Sequence, residues 1–582
     1  MATGAQTNRI KWWFQRLRVP DLVDSRLWVM GAAILIVLYL AGVPLGMLFW
    51  GSLKVGNPAE ASPLTLQNFV KAYSDPRSFT LLANSIIYAA GTCVFSLGLG
   101  TTMAFIIERT NTPLKSLFTA MALVPLIIPG VLHTISWILL LSPRIGALNN
   151  VLMSAFGLAE APFDVYGMGG MIWVEGLHLS PLVFVLMAAA FRSMDPALEE
   201  AALTSGANHP ITFWRVTFRL SLPASAAAML LMFIRGLESF EVPALIGLRG
   251  GVNVFTSRIW LALKEFPPDY GLAAAFAVGL LMISVLGILI YNRVTSRSEQ
   301  FATVTGKGYR PHIIDLGNWR YLTGLIFVLY FFFLVGLPLF ILLWASLNPS
   351  YTAPGLDKID RLTLENYTFV LNMARARTAF KNSLFLSITS GVLVMLVTAI
   401  ISWITVKTKW PGRTALDVVT FLPITIPGIV LGVSLIWVYL ILPIPIYGTV
   451  WILLLAYITR YMPYGIRTNS AAMVQIHREL EEASYASGGT WLQTFRRVTL
   501  PLLKPGLISG FIYIVVVSFR ELSSSILLYS SRSIVLSILI FDLWDSGQFP
   551  IVSALSVMMI GILILIVVAA RQVGGYFGVR TE

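Results

Sequence analysis

The feature that most constrains this chain is a series of long apolar runs. Crossing the hydrocarbon core of a bilayer, which is roughly 30 Å thick, takes about 20 mostly apolar residues in a helix. The runs are continuous rather than alternating, which favours helices over a β-barrel. Only 12% of the residues are charged, against about 25% in typical soluble proteins. The sequence predicts an all-α membrane protein with about twelve transmembrane helices, near 27–50, 81–107, 116–141, 170–191, 224–248, 271–291, 321–346, 380–406, 415–442, 447–466, 506–530 and 551–570.

The basic charge of the chain indicates orientation rather than a nucleic-acid partner. The formal net charge is +13, but Lys and Arg concentrate in alternate connecting segments, as the positive-inside rule describes. With the N-terminus inside, the richer segments include residues 1–26 and a linker at 292–319. The prediction is therefore a multi-pass membrane protein with both termini cytoplasmic, and nucleic-acid binding is not expected.

A stretch of the chain occurs twice. Residues 198–223 read LEEAALTSGANHPITFWRVTFRLSLP and residues 480–505 read LEEASYASGGTWLQTFRRVTLPLLKP, with 13 of 26 aligned positions identical. We call these the first and second repeated loops. Weaker matches precede them, such as Leu64–Phe69 with Leu362–Tyr367. Since each half has six predicted spans, the halves insert with the same orientation, giving two parallel six-helix repeats at 27–291 and 320–582.

Each repeated loop has the local signals of two helices joined at a glycine. In the first, Asp195 is a candidate N-cap, two glutamates lie near the favourable end of the helix dipole, and Gly206 is a candidate terminator. In the second, Thr490 and Gln493 have the spacing of a capping box. A charged helical projection of this kind, with small alanine side chains on one side, suits insertion into a cleft of a cytoplasmic partner. The simpler alternative is an inner loop that is capped for stability alone.

The loops carry a resemblance to a known family. Glu-Ala-Ala, a glycine six residues after the Glu, and then a basic amphipathic helix resemble the signature loop of ABC importer permeases, with type I importer-like architecture. The matching positions are Glu199, Glu200, Ala201, Ala202 and Gly206 in the first copy and Glu481, Glu482, Ala483, Ser484 and Gly488 in the second. In that family the loop is the coupling helix that docks on the ATP-binding subunit. Ser484 departs from the family's second alanine, which weakens the expectation of two equal contacts.

The fused arrangement of two halves resembles the ferric-iron transport permeases. The sequence of residues 238–247, ESFEVPALIG, also resembles that group. The resemblance implies a permease subunit of an ATP-driven importer in a bacterial plasma (inner) membrane. Its expected partners are a periplasmic or other extracytoplasmic substrate-binding protein and a pair of cytoplasmic ATP-binding subunits. Ferric iron is the favoured cargo, while thiamine, polyamine, sulfate and phosphonate stay open. An ion-coupled secondary transporter is the alternative from another class.

The chain lacks the residues for powering transport or for catalysis. No G-x-x-x-x-G-K-[ST] phosphate-binding loop occurs, so ATP and Mg are expected on a separate subunit and no cofactor in this chain. No His/Asp/Glu cluster with metal-ligand spacing and no catalytic constellation is present, and Cys93 is the only cysteine. We therefore expect a transport subunit that is not an enzyme and has no resident metal.

Ionisable residues inside apolar spans are costly and are candidates for function. Glu238 and Glu241 fall in the fifth predicted span, and Glu521 in the eleventh. At a spacing of three, Glu238 and Glu241 are expected on one helical face, and Arg235 is placed to pair with Glu238. We predict that the three glutamates line the translocation path. A structural pair that pins helices together is the alternative, and the repeat alignment of Glu521 is ambiguous.

Proline pairs interrupt two spans at equivalent places. Pro125 and Pro129 lie in the third span, and Pro423 and Pro427 in the ninth. Two prolines four residues apart break helical hydrogen bonds, so a bend or partial unwinding is predicted. Either a gate hinge or a fixed kink would account for it.

Overall fold

The computed structural model describes residues 25–60, 62–195, 197–298 and 313–576, and within these ranges the chain is helical apart from turns and two isolated bridges. The predicted all-α fold is confirmed. Most of the predicted N-terminal segment and the middle of the 292–319 linker lie outside the described residues. The helix that precedes the linker continues to Ser298.

Apart from a separate π-helix at Pro243–Gly247, the first half contains eleven helical elements in its described part. They are α1 (Ser25–Val37, continuing through a π-turn at Leu38–Gly42 into Val43–Ser52), α2 (Gln67–Tyr73), α3 (Pro76–Arg109), α4 (Lys115–Leu123, followed by a 3-10 turn at Val124–Ile127), α5 (Gly130–Leu141), α6 (Ala147–Phe156), α7 (Met168–Ser193), α8 (Ala197–Thr204), α9 (His209–Thr212, continuing through a π-turn at Phe213–Thr217 into Phe218–Glu238), α10 (Phe255–Lys264) and α11 (Tyr270–Ser298).

The second half repeats this order without an equivalent of α6. Its helices are α12 (Trp319–Phe331, continuing through a π-turn at Phe332–Gly336 into Leu337–Ser346), α13 (Glu365–Asn372), α14 (Ala374–Lys407), α15 (Arg413–Phe421, followed by a 3-10 turn at Leu422–Thr425), α16 (Gly428–Ile441), α17 (Val450–Gln475), α18 (Arg478–Ala486), α19 (Trp491–Thr494, continuing through a π-turn at Phe495–Thr499 into Leu500–Phe519), α20 (Leu536–Asp545) and α21 (Phe549–Tyr576). The π-turns within α1 and α9 recur within α12 and α19, whereas a further π-helix at Pro243–Gly247 of the first half has no counterpart in the described second half.

Side-chain hydrogen bonds show the same repeat. Asn68 donates to the carbonyls of Ser52 and Lys54, and its equivalent Asn366 donates to the corresponding carbonyls at the end of α12. Ser85 accepts from the first backbone N–H of α10, and Ser383 accepts from the first N–H of α20. The two halves therefore share their tertiary contacts as well as their helix order.

Nine of the described helices are long and apolar enough to cross a membrane, and up to eleven spans result if each bent pair counts as one. The bent pairs are α4 with α5, at 97°, and α15 with α16, at 108°. Both breaks fall at the predicted proline pairs, so the predicted interruption is confirmed. The remaining predicted span forms α17, whose 26 residues include Arg460 and Arg467 and are less apolar.

Two predicted spans end earlier than expected. The fifth helix, α9, begins within the first repeated loop and stops at Glu238 rather than 248, and α19 stops at Phe519 rather than 530. After α9 the helix breaks at Ser239 and a short π-helix follows at Pro243–Gly247, whereas after α19 the chain runs through turns. Both segments then return through a short helix, α10 or α20. Irregular backbone at membrane depth is stable where protein groups satisfy it. Here hydroxyls do so: Thr256 donates to the carbonyl of Ser239 and Ser537 to that of Glu521.

The halves interlock through their first helices. α1 packs on the second half, where Tyr39 and Tyr439 share a 2.5 Å hydrogen bond. α12 packs on the first half, where Tyr330 bonds Ser180 at 2.8 Å. Because each first helix covers the other half, the two repeats form one body with an interface between them.

Candidate functional site

The two repeated loops adopt the predicted helix–glycine–helix form. Gly206 and Gly488 have φ values of +88° and +81°, in the left-handed region where a side chain is strained. Asp195 accepts a hydrogen bond from the backbone N–H of Ala197, and Thr490 and Gln493 form the predicted capping box. The second helix of each loop is not a separate short helix, because it is the beginning of the long helix α9 or α19.

The paired glutamates of each loop divide into a buried and an exposed member. Glu199 is buried and accepts a 2.6 Å hydrogen bond from Thr217, and Glu481 is buried and accepts one of 2.9 Å from Thr499. By contrast, Glu200 and Glu482 are exposed. The first glutamate of each pair therefore fastens the loop to its own half, and the second is available to a partner.

Four of the other six predicted coupling residues are exposed. Ala201, Gly206, Ala483 and Gly488 are exposed, while Ala202 and Ser484 are partly buried. Next to them, Leu198 and its equivalent Leu480 are 46% and 47% exposed. Each loop thus presents a small surface of one leucine, one glutamate and one alanine in the same arrangement. Their role in coupling stays a prediction.

A cavity of about 520 Å³ lies between the halves and contains all three predicted path residues. Glu238 and Glu521 are each 8% exposed, and Glu241 is partly buried. The expectation that Glu238 and Glu241 share a helical face is wrong, because α9 ends at Glu238 and the extended backbone at Ser239 (ψ 133°) breaks the register. Both side chains nevertheless reach the same cavity.

Ion pairs form within each half at the cavity wall. Arg235 Nη1 lies 3.7 Å from Glu238 Oε2, which confirms the predicted pair. In the second half, Arg460 Nε lies 3.2 Å from Glu521 Oε2, and Tyr461 also donates to that oxygen. The other oxygen of Glu238, Oε1, is buried without a hydrogen-bond partner.

Two arginines connect the halves across the cavity. Arg520 Nη1 donates to the carbonyls of Leu126, at 2.9 Å, and Ile128, at 3.2 Å, in the proline-broken stretch of the first half. Arg235 donates to the hydroxyl of Tyr464 in the second half. The proline break therefore frees carbonyls that an arginine of the opposite half binds.

The structure resolves the repeat alignment at the cavity. Since the carbonyls of Ser239 and Glu521 accept the equivalent hydrogen bonds, Glu521 corresponds to Ser239, and Glu238 corresponds to Arg520. Likewise, Gly130 lies against His178 and Gly428 against Arg460, where an added Cβ would be 2.6 Å from Arg460 Nη1. Equivalent positions thus carry different charges in the two halves.

Sequence reasoning missed Glu175, His178 and Arg460, all of which line the cavity. The signal that could have found them is the one used for Glu238, an ionisable residue inside an apolar run. His133 of α5 is buried, with its ring centroid 5.4 Å from that of His178. Among the described residues no group of three or more His, Cys, Asp or Glu has a geometry for holding a metal.

Comparison with known proteins agrees with these features. Residues 96–299 and 395–580 match the family of binding-protein-dependent transport system inner membrane components, and the matches cover more than half of the chain. The chain is 27% identical over 493 residues to the ferric transport system permease protein FbpB of Actinobacillus pleuropneumoniae, covering 84% of this chain and 70% of that protein. It is 26% identical over 263 residues to a putative 2-aminoethylphosphonate transport system permease protein, PhnV, of Salmonella choleraesuis, covering 44% and 93%.

One solved structure is also similar, that of a bacterial ABC transporter involved in the import of the acidic polysaccharide alginate. It has a TM-score of 0.37 and 18% identity, and covers 44% of this chain and 94% of that chain. The repeated fold and the family matches, one in each half, lead to one assignment. The chain belongs to the family of binding-protein-dependent transport system inner membrane components, the permeases of ABC importers.

Proposed function

We propose that this chain forms the translocation path of an ATP-driven importer of ferric iron, and that each repeated loop docks on a separate ATP-binding subunit. The observation that carries the docking is the shared surface of the two loops. In both, the first glutamate is buried against a threonine and the second is exposed beside an exposed alanine and leucine. A surface that is present twice suits a pair of identical partners.

The proposed cargo is supported by how far the relatives match. The ferric transport permease aligns over both halves of this chain, whereas the phosphonate permease aligns over 44% of it. Phosphonate is the second candidate cargo, since that permease matches at a similar identity.

The contacts at the two ends of the bundle support the proposed orientation. At one end, the 109–112 turn contacts both the first repeated loop and residue 314 of the linker. At the other end, segments predicted to be extracytoplasmic pair with each other, as in Lys264 with Asp545 and Lys71 with Asp269. We place the loop end and both termini in the cytoplasm and the opposite end toward a substrate-binding protein.

Transport in this proposal is a shift between two global states rather than chemistry performed by this chain. ATP and Mg on the paired subunits would draw the loops together and change which end of the cavity is open. A ligand shifts such an equilibrium only as far as it binds one state better than the other. In this proposal, the difference in binding between the two states acts on the permease through the exposed surface of the repeated loops.

The test is a double substitution of the exposed glutamates, Glu200→Ala with Glu482→Ala, in the complex reconstituted with its ATP-binding subunit and binding protein. We expect iron uptake, and the stimulation of ATP hydrolysis by the loaded binding protein, to fall at least about tenfold, because two charge-assisted contacts are lost. Glu479→Ala is the matched control, since Glu479 is an exposed acid on the same helix, α18, but outside the repeated pattern. Undiminished uptake in the double variant would contradict the docking assignment.

A further inference from the structure

The wall of the cavity differs in charge between the halves. Two of the acids and two of the bases there are already paired, in Arg235 with Glu238 and Arg460 with Glu521. Among the described residues that line the cavity, Glu175 and Glu241 of the first half and Arg520 of the second have no oppositely charged group within ion-pair distance. The groups without an ion-pair partner are therefore carboxyl groups on one wall and a guanidinium on the other.

A path for a bare trivalent cation would not need this arrangement. A guanidinium stays protonated under all physiological conditions and repels a cation, and the repulsion is stronger inside a protein than in water. The equivalent of Arg520 in the first half is Glu238, so the fold also accommodates a carboxylate at this position. The cavity volume of about 520 Å³ is in the range of small-molecule sites, roughly 300–1,000 Å³, and exceeds what one ion requires.

This distribution of acidic and basic residues fits a cargo that has a cationic part and an anionic part. Carboxylate oxygens are suitable neighbours for a hard cation, and Glu238 Oε1 is a buried oxygen that has no partner. The planar guanidinium of arginine matches the geometry of a carboxylate or phosphate. Arg520 uses Nη1 for the carbonyls of Leu126 and Ile128, and its remaining N–H groups are donors that the carbonyls do not occupy.

We propose that the cavity takes ferric iron together with a small oxyanion, with the metal toward Glu238 and Glu241 and the oxyanion toward Arg520. This inference rests on the proposed function and specifies the form of its cargo. It agrees with the aqueous chemistry of Fe³⁺, which hydrolyses and precipitates at neutral pH unless anionic ligands hold it. The oxyanion would be an inorganic phosphate or a carboxylate chelator, which share the chemistry that Arg520 recognises.

The experiment follows two labels into proteoliposomes that contain the full transporter complex. The binding protein is loaded with radioiron in the presence of radiolabelled phosphate in one arm and radiolabelled citrate in the other. We expect one of the two anions to enter with the iron, at about one anion per metal ion. Entry of iron without either label would overturn the inference but leave the proposed function standing. Entry of neither iron nor anion would overturn both.

Variants at Arg520 test whether this residue binds the anion that enters with iron. Arg520→Gln should lower the amount of anion entering per iron at least about fivefold, and Arg520→Lys should restore much of it because the charge returns. Arg532→Gln is the control, since Arg532 is an exposed arginine away from the cavity. An unchanged anion-to-iron ratio in Arg520→Gln would contradict the assignment. If that variant does not assemble, the label ratio of the unmodified complex decides.

Discussion

The first and second repeated loops have the same backbone form but are held in place by different interactions. In the first, Glu199 Oε2 lies 3.1 Å from Arg109 Nη1, a buried ion pair between the loop and the end of α3. The equivalent of Arg109 is Lys407, which donates to the carbonyl of Ile476 instead. Because the two loops have the same backbone form despite this difference, the glycine and the helix caps specify the form. The contacts that attach each loop to the helix bundle differ.

Aromatic packing takes a larger part in the second loop. Trp491 stacks against Phe495 and lies with its ring centroid 5.2 Å from that of Trp403, in a cluster that α1 of the other half also covers. In the first loop, Phe213 packs against Phe105 of α3 at 4.9 Å. The second loop is thus attached to both halves through apolar contacts, whereas the first depends on a charged contact within its own half.

The linker adds a further difference. Ile314 and Arg109 share a backbone hydrogen bond, and the side chain of Asn111 bonds both Asp315 and the backbone of Leu316. The turn that holds the first loop therefore also holds the connection between the halves. The first loop is thus joined to the linker through one turn of the chain.

The largest expected difference in stability between the two loops follows from replacing Arg109 and its equivalent, Lys407. Arg109→Ala leaves the buried carboxylate of Glu199 without its cation, and breaking a buried ion pair costs about 3–5 kcal/mol. Lys407→Ala removes one hydrogen bond from a partly exposed lysine, which costs about 1 kcal/mol. Thermal unfolding of the purified proteins in detergent should show a clearly lower midpoint for Arg109→Ala. Equal midpoints would mean that the ion pair does not distinguish the loops.

The buried threonines provide a second, smaller contrast. Thr499 is the side chain that hydrogen-bonds Glu481, so Thr499→Val removes that contact from a buried carboxylate and should cost about 1.5–3 kcal/mol. Glu199 keeps Arg109 when Thr217 is replaced, so Thr217→Val should cost less. The measurement is the same unfolding midpoint, with Thr217→Ser and Thr499→Ser as controls that keep the hydroxyl. A larger effect at Thr217 would contradict the comparison.

Local signals made much of this structure predictable. The apolar runs locate the spans, the proline pairs locate both breaks, and the Gly206, Gly488 and Thr490 signals locate the ends of helices in the loops, because each of these depends on residues close in sequence. The two-half organisation was also accessible, since the repeat preserves even Asn68 and Asn366 at matching contacts.

The cavity was only partly predictable, because its geometry depends on distant residues. Helical spacing placed Glu238 and Glu241 on one face, but hydroxyl groups from α10 stabilise a break that begins at Ser239. The contact of Arg520 with Leu126 joins residues 394 positions apart, which no pattern in one sequence reveals. The division between Glu199 and Glu200 was likewise hidden, since both lie in the same charged motif.

The smallest expected effect is one in which the loops should behave alike. Gly206→Ala and Gly488→Ala each force a side chain into the left-handed region, which costs roughly 1–2 kcal/mol, and a Cβ at either position meets open space. Because the strain arises in the backbone and not in the attachment to the bundle, the two midpoints should fall by similar amounts. Asparagine tolerates this conformation better than alanine, so Gly206→Asn and Gly488→Asn should fall less. If one loop tolerated alanine and the other did not, the difference between the loops would extend to their backbones, and the claim that glycine specifies a shared shape would have to be abandoned.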